Sequence, residues 1–132
     1  MVSSVDLRDY MLPNPITVAA DDELYTAIDV IVNGRISGVC VVDSEHNLVG
    51  VLSEMDCLRA TLGGIYNASA CTGKVSEYMT SRVISCDIRA DLVSVAADML
   101  KEGHRRRPVV DGNRLVGQIT CRQLLRVITD FK

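Results

Sequence analysis

The 132-residue sequence has no tryptophan, a single phenylalanine and only 4% aromatic residues. Single-stranded nucleic acid is gripped by aromatic stacking platforms, so this poverty argues against such a partner. No apolar run approaches the ~18 residues needed to span a bilayer. The start, Met1-Val2-Ser3-Ser4-Val5-Asp6, lacks the basic-then-apolar pattern of a leader, so the expectation is a cytoplasmic chain with no membrane partner. Five cysteines (Cys40, Cys57, Cys71, Cys86, Cys121) form no C-x-x-C pair, and neither a disulfide framework nor a zinc site is expected. Cys40 lies in the apolar run Val39–Val42, where a thiol acts as a small hydrophobe. Asn67-Ala68-Ser69 has the form of a glycosylation sequon, which is coincidence in a cytosolic chain.

The chemistry of catalysis is also thinly represented. There is no G-x-G-x-x-G, and Gly73-Lys74 is no P-loop because Ala68 and Val75 break the pattern. Of the two histidines, His46 and His104, neither is joined by a signature to a nucleophile. The carboxylates show no cage-like spacing for a metal. An enzyme is not expected, and no cofactor is required.

What is present is 48% hydrophobic and 23% charged residues, the balance of a soluble globular chain of single-domain length. The net charge of −3 conceals an asymmetry. Residues 1–66 hold three Arg, no Lys and ten carboxylates, or −7; residues 67–132 hold eleven basic and seven acidic side chains, or +4. Either the second half meets nucleic acid, or two halves serve one ligand. The low aromatic content and the scatter of the basic residues disfavour nucleic acid.

Sliding the sequence along itself by 68 positions reveals a repeat. Tyr10-Met11 falls on Tyr78-Met79, Ile16-Thr17 on Ile84-Ser85, Leu24 on Leu92, and Val41-Val42-Asp43 on Val109-Val110-Asp111. One residue shorter in the next turn, Leu48-Val49-Gly50 falls on Leu115-Val116-Gly117, Ser53 on Thr120, and Leu58-Arg59 on Leu125-Arg126.

Each copy carries the same local signals. A short extended segment, Ile16–Val18 or Val83–Ser85, precedes a helix whose apolar face is Leu24, Ala27, Ile28 and Ile31, or Leu92, Val95, Ala96 and Met99. Asp21 and Asp22 suit the first helix's N-terminus, and Gly34 and Gly103 the two helix ends. Two apolar strands follow, Val39–Val42 with Leu48–Leu52 and Pro108–Val110 with Leu115–Ile119, joined by hairpin-turn residues. A closing helix starts at Ser53 or Thr120, carrying Met55, Leu58 and Leu62, or Leu124, Leu125 and Ile128. The expected fold is α+β: two β-α-β-β-α copies, residues 1–62 and 75–132, joined by a glycine-bearing linker at 63–74. Each copy is too small for an ample core of its own, so the copies must share one.

The chemistry concentrates after each hairpin. Gly50-Val51-Leu52-Ser53-Glu54-Met55-Asp56 places a hydroxyl and a carboxylate at a strand-to-helix junction; its counterpart is Gly117-Gln118-Ile119-Thr120-Cys121-Arg122-Gln123. Two readings stand. Ser53/Asp56 and Thr120/Gln123 have capping-box spacing and serve the helices alone. Alternatively, the helix N-terminus offers N–H groups to an anion, while Asp56 accepts both hydroxyls of a ribose. Gln123 has one acceptor oxygen, so the first copy is the better nucleoside holder. The run Arg105-Arg106-Arg107 is likewise a solvated rim or a phosphate contact. His104 before it is a packed residue, a surface residue or a further contact.

These tandem segments, with Ile-Ser-Gly or Arg-Arg-Arg before the Val-Val-Asp strand and Gly-x-x-Ser/Thr-x-x-Asp after it, resemble paired CBS (cystathionine β-synthase) domains, the Bateman module. The resemblance spans about Val5 to Asp130. It implies a stand-alone regulatory unit of two repeats related by pseudo-twofold symmetry, with adenine nucleotide (AMP, ADP or ATP) held between the repeats. It further implies a homodimer acting on a regulated protein the sequence does not name. Ser53 would lie near ribose or phosphate, Asp56 would hold the ribose diol, Thr80 to Ile84 would line the adenine pocket, and Arg105 and Arg106 would meet phosphate. Thr120 is the second copy's hydroxyl. Gln123 departs from the family's acidic residue, and Arg107 from its usual apolar one. The alternative is a ligand-silent dimerisation module.

Overall fold

Strand β2 (Thr17–Ala19) feeds helix α1 (Leu24–Gly34), which returns the chain to strand β3 (Gly38–Val42). β2 and β3 pair in parallel, and β3 turns back on β4 (Leu48–Ser53) in an antiparallel hairpin. Helix α2 (Glu54–Tyr66) follows directly. The same order recurs as β5 (Cys86–Asp87), α4 (Leu92–Glu102), β6 (Arg106–Asp111), β7 (Arg114–Thr120) and α5 (Cys121–Asp130). Two further short pieces, β1 (Leu12–Pro13) and α3 (Val75–Tyr78), precede the copies. These elements belong to a computed structural model that describes residues 6–66 and 73–130. The fold is α+β.

The chain forms two compact units that do not follow the order of the sequence copies. One is residues 16–83; the other joins residues 1–15 to residues 84–132. Each unit therefore takes its lead-in segment from the other side of the chain. In the first, three strands run β2-β3-β4, and Thr80 pairs its backbone with Val51 at the sheet's far edge, with N–H to O distances of 2.9 and 3.0 Å. In the second, the order is β1-β7-β6-β5, with Leu12 opposite Gln118 and Pro13 opposite Gly117.

Two glycines make this exchange sterically possible. A Cβ on Gly50 would stand 2.5 Å from the Met79 sulfur and 3.0 Å from the Thr80 carbonyl oxygen. A Cβ on Gly117 would meet Met11 and Leu12 in the same way, at 2.6 and 3.0 Å. Both distances are well inside van der Waals contact, so only glycine lets the visiting segment approach. The Gly of each Gly-x-x-Ser/Thr motif is a packing residue.

By charge, residues 16–83 are an acidic unit, with nine carboxylates against four basic side chains, or −5. The remainder is a basic unit, with ten basic and eight acidic side chains, or +2. The acidic unit's core gathers Val18, Leu24, Ala27, Ile31, Val39, Val41, Leu52, Cys57 and Val75. The basic unit's core gathers Leu7, Leu92, Val95, Met99, Val109 and Ile119. The faces read from the sequence for α1 and α4 are faces that pack, whereas Met55, Leu58 and Leu62 of α2 and Leu125 and Ile128 of α5 are exposed. Truncating a fully buried Leu52 or Ile119 to alanine costs about 2–5 kcal/mol.

Local details differ from the sequence expectation in three places. Neither Asp21 nor Asp22 caps α1; the N-cap is Glu23 without a side-chain bond, and the Asp22 carboxylate accepts from Ala19 N–H at 2.8 Å, closing the turn instead. Gly34 is the last helical residue, and the left-handed cap is Arg35 at φ 52°. Gly103 does take the left-handed cap expected of it, at φ 69°. Gly63 and Gly64, expected in a linker, continue helix α2. In the first hairpin, backbone hydrogen bonding from Asn47 holds the Asp43 carboxyl below its ordinary range. Cys40 and Cys57 are buried, Cys86 half-buried and Cys121 exposed, whereas Cys71 and the Asn67 sequon lie outside the described residues.

Candidate functional site

In the acidic unit, β4 ends at Ser53 and α2 starts at the next residue, so a hydroxyl and the first turn of a helix share one corner. Asp56 N–H donates to Ser53 Oγ at 3.1 Å, and Ser53 N–H donates to Asp56 Oδ2 at 3.0 Å. This is a reciprocal capping box, which stabilises a helix start by about 1 kcal/mol. Arg59, one turn on, donates to Asp56 Oδ1 at 3.0 Å. The Asp56 side chain is only 12% exposed. Each carboxylate oxygen is thus engaged once and keeps a second lone pair for another donor. Thr80 is exposed and sits on the same sheet edge through its pairing with Val51.

The basic unit repeats this corner with different chemistry. Thr120 closes β7, Gln123 N–H donates to Thr120 Oγ1 at 3.4 Å, and the Thr120 hydroxyl donates to Gln123 Oε1. Gln123 is buried and uncharged, and its one acceptor oxygen already accepts from Thr120, leaving one lone pair where Asp56 keeps two. Arg106 stands opposite Thr120 in the β6–β7 ladder, and Cys121 N–H donates to the Arg105 carbonyl at 3.0 Å. The acidic unit has the matching contact, Glu54 N–H to Ser37 carbonyl at 2.9 Å. In both helices the first and third N–H groups are therefore spoken for within the chain. Fewer N–H groups are thus left at these helix ends for an anion than the expectation from sequence supposed.

Of the residues singled out from sequence, Ser53, Asp56 and Thr80 gather in the acidic unit. Arg105, Arg106 and Thr120 gather in the basic unit, which also contains the half-exposed Ile84. The arginine run divides. Arg105 is exposed and Arg106 half-buried, but Arg107 is 3% exposed. Its guanidinium donates through Nη1 to Asp98 Oδ2 on α4 at 2.5 Å and through Nη2 to His104 Nδ1 at 3.0 Å. Its Nε has no partner among the described residues. Arginine only donates, so His104 Nδ1 is the acceptor in this contact. Sequence reading missed this trio, in which Arg107 is buried and Asp98 about half exposed. The signal was available at the 68-residue offset, where Asp98, His104 and Arg107 replace Val30, Ile36 and Val39. Close by, burial pushes the Cys86 thiol up to about 11, against the pull of the Arg107 charge.

Residues 7–63 and 75–130 each match the CBS domain. The chain belongs to the CBS domain family. It is a tandem CBS pair, and its curated relatives are longer proteins. An uncharacterised protein of Methanocaldococcus jannaschii is 30% identical over 92% of this chain, which covers 42% of that protein. Inosine-5'-monophosphate dehydrogenase of the same organism is 32% identical over 89% of the chain, which covers 22% of the enzyme. Among solved structures, a putative acetoin utilization protein of Vibrio cholerae superposes with a TM-score of 0.84 at 26% identity, covering 97% of this chain and 93% of that one. CBSX2, solved in complex with AMP, superposes with a TM-score of 0.80 at 26% identity, covering 93% and 95%. Among the described residues, no helix of the CBS pair is long and apolar enough to cross a membrane.

Proposed function

We propose that this CBS pair is a cytoplasmic regulatory module that binds an adenosine nucleotide, AMP, ADP or ATP, and does no catalysis of its own. The observation that carries the reading is the Asp56 carboxylate, held by Ser53 and Arg59 with spare lone pairs, in the unit that also holds the exposed Thr80. A carboxylate so fixed can accept both hydroxyls of a ribose without first paying to be ordered. The AMP complex of CBSX2 supports the choice of ligand class. Arg105 and Arg106 supply cations suited to phosphate, with Thr120 and Ile84 completing the set expected to serve the nucleotide. Bound ligand would favour one conformation over another, which a regulated protein reads.

The module is further proposed to act as a homodimer. Met55, Leu58 and Leu62 on α2, and Leu125 and Ile128 on α5, are all about half exposed or more, and apolar helix faces of that kind favour a cover.

One observation favours the rival reading of a ligand-silent dimerisation module: both capping boxes are complete without any ligand. Titration calorimetry with AMP, ADP and ATP separates the two. Saturable heat from the wild type, weakened roughly 10- to 100-fold by Asp56→Ala, is the expected result, since hydrogen bonds to a charged group contribute about 1.5–3 kcal/mol. No heat and no melting shift with any of the three would establish the silent module.

A further inference from the structure

The Ser53–Asp56 capping box is complete by its own two hydrogen bonds, so Arg59 is not needed to start α2. Nor does its ion pair with Asp56 hold the fold together. The Arg59 side chain is 67% exposed, and pairs in that setting add little to stability. What Arg59 changes is the carboxylate itself. Ser53 N–H fixes Asp56 Oδ2, and Arg59 Nη2 donates to Oδ1. With the first bond alone the group could turn about its Cβ–Cγ torsion, which for a carboxylate is broad rather than sharply staggered. With both bonds, each oxygen has a fixed place and a lone pair left over. The arginine recurs in the basic unit as Arg126, three residues after Gln123, but there the residue at the corner is a neutral amide with no charge to pair.

We propose that Arg59 is a positioning residue that makes the acidic unit's corner selective for a nucleotide carrying both ribose hydroxyls, and that it acts through Asp56 without touching the ligand. The inference rests on the nucleotide reading above and adds the residue that sets its sugar preference. A ribose diol donates two hydrogen bonds in one geometry, so it is best met by a carboxylate whose two oxygens are both held beforehand. A sugar without those hydroxyls gains nothing from that order.

Titration calorimetry on the full chain tests it with AMP and with the dideoxy analogue of AMP, which carries the same phosphate and lacks both ribose hydroxyls. The weaker constant of the analogue is read by displacing bound AMP. Arg59→Ala should weaken AMP about 2- to 10-fold, the cost of ordering one side chain on binding, and leave the affinity of the dideoxy analogue unchanged. Arg59→Lys keeps a donor and a charge for Oδ1, and should hold AMP within about twofold of the wild type. A general loss of structure, or of local positive charge, would instead weaken both nucleotides equally. Equal losses, or an unchanged AMP affinity in Arg59→Ala, would overturn the inference. If AMP binding is still lost in Asp56→Ala, the nucleotide reading stands and this inference fails by itself. No AMP binding by the wild type would overturn both.

Discussion

At equivalent positions the two units share a backbone and disagree in chemistry. Where the acidic unit has Ser53 and Asp56 at its strand-to-helix corner, the basic unit has Thr120 and a buried Gln123. Where the acidic unit packs Val39 into its core, the basic unit buries Arg107 against Asp98 and His104. The duplication has kept the features that close the fold: the helix faces, the hairpins and the two glycines that admit a visiting segment. It has let the polar corners diverge. One copy keeps a charged acceptor with two spare lone pairs, and the other has a buried, neutral amide at its cap and a cation in its interior.

The comparison breaks most visibly at Asp98. Removing Asp98 strands the buried Arg107 charge, so Asp98→Ala should lower stability by about 3–5 kcal/mol in urea unfolding. A loss below 1 kcal/mol would mean that Arg107 reaches water, and the contrast with Val39 would dissolve. Next in size is the polar corner. Asp56→Asn keeps an oxygen for the Ser53 N–H but loses the charge, and is expected to weaken nucleotide binding about tenfold. Gln123→Ala should leave that affinity untouched and cost about 1 kcal/mol of helix capping. Equal effects of the two substitutions on calorimetric affinity would erase the proposed difference between the corners.

A smaller effect is expected when the core position is made alike in both units. Arg107→Val installs the residue that the acidic unit uses and removes a guanidinium with an unpartnered Nε. Asp98 is 47% exposed and can hydrate once released, so stability should change by no more than about 1 kcal/mol, in either direction. Smallest of all, iodoacetamide at pH 7.5 should label the exposed Cys121 well before Cys86, whose thiol burial has pushed up to about 11. Peptide mass spectrometry reads the order.

Most of the fold was legible in the sequence because its signals are local and occur twice. Leu24, Ala27 and Ile31 repeat as Leu92, Val95 and Met99, and helical spacing alone says which face is buried. The capping boxes were equally legible, since Ser53/Asp56 and Thr120/Gln123 sit three residues apart. The exchange of lead-in segments was not. Which sheet edge a two-residue strand joins depends on a long-range approach, and the only trace of it is a pair of glycines facing a pair of methionines. The arginine run misled for a related reason. Three like charges in a row suggest one surface, but neighbouring strand residues point to opposite faces, and Arg107 turns inward. At the site, residue types were legible and their remaining hydrogen-bonding capacity was not, because that depends on partners such as Arg59 and the Ser37 carbonyl.

The central claim is that nucleotide binds through the corner that kept its carboxylate. The most direct measurement is the stoichiometry of adenine nucleotide binding to the wild-type chain at saturating ligand. One nucleotide per chain, with the site lost in Asp56→Ala and retained in Gln123→Ala, is the predicted result. Two equal sites per chain, or one site that survives Asp56→Ala, would contradict it.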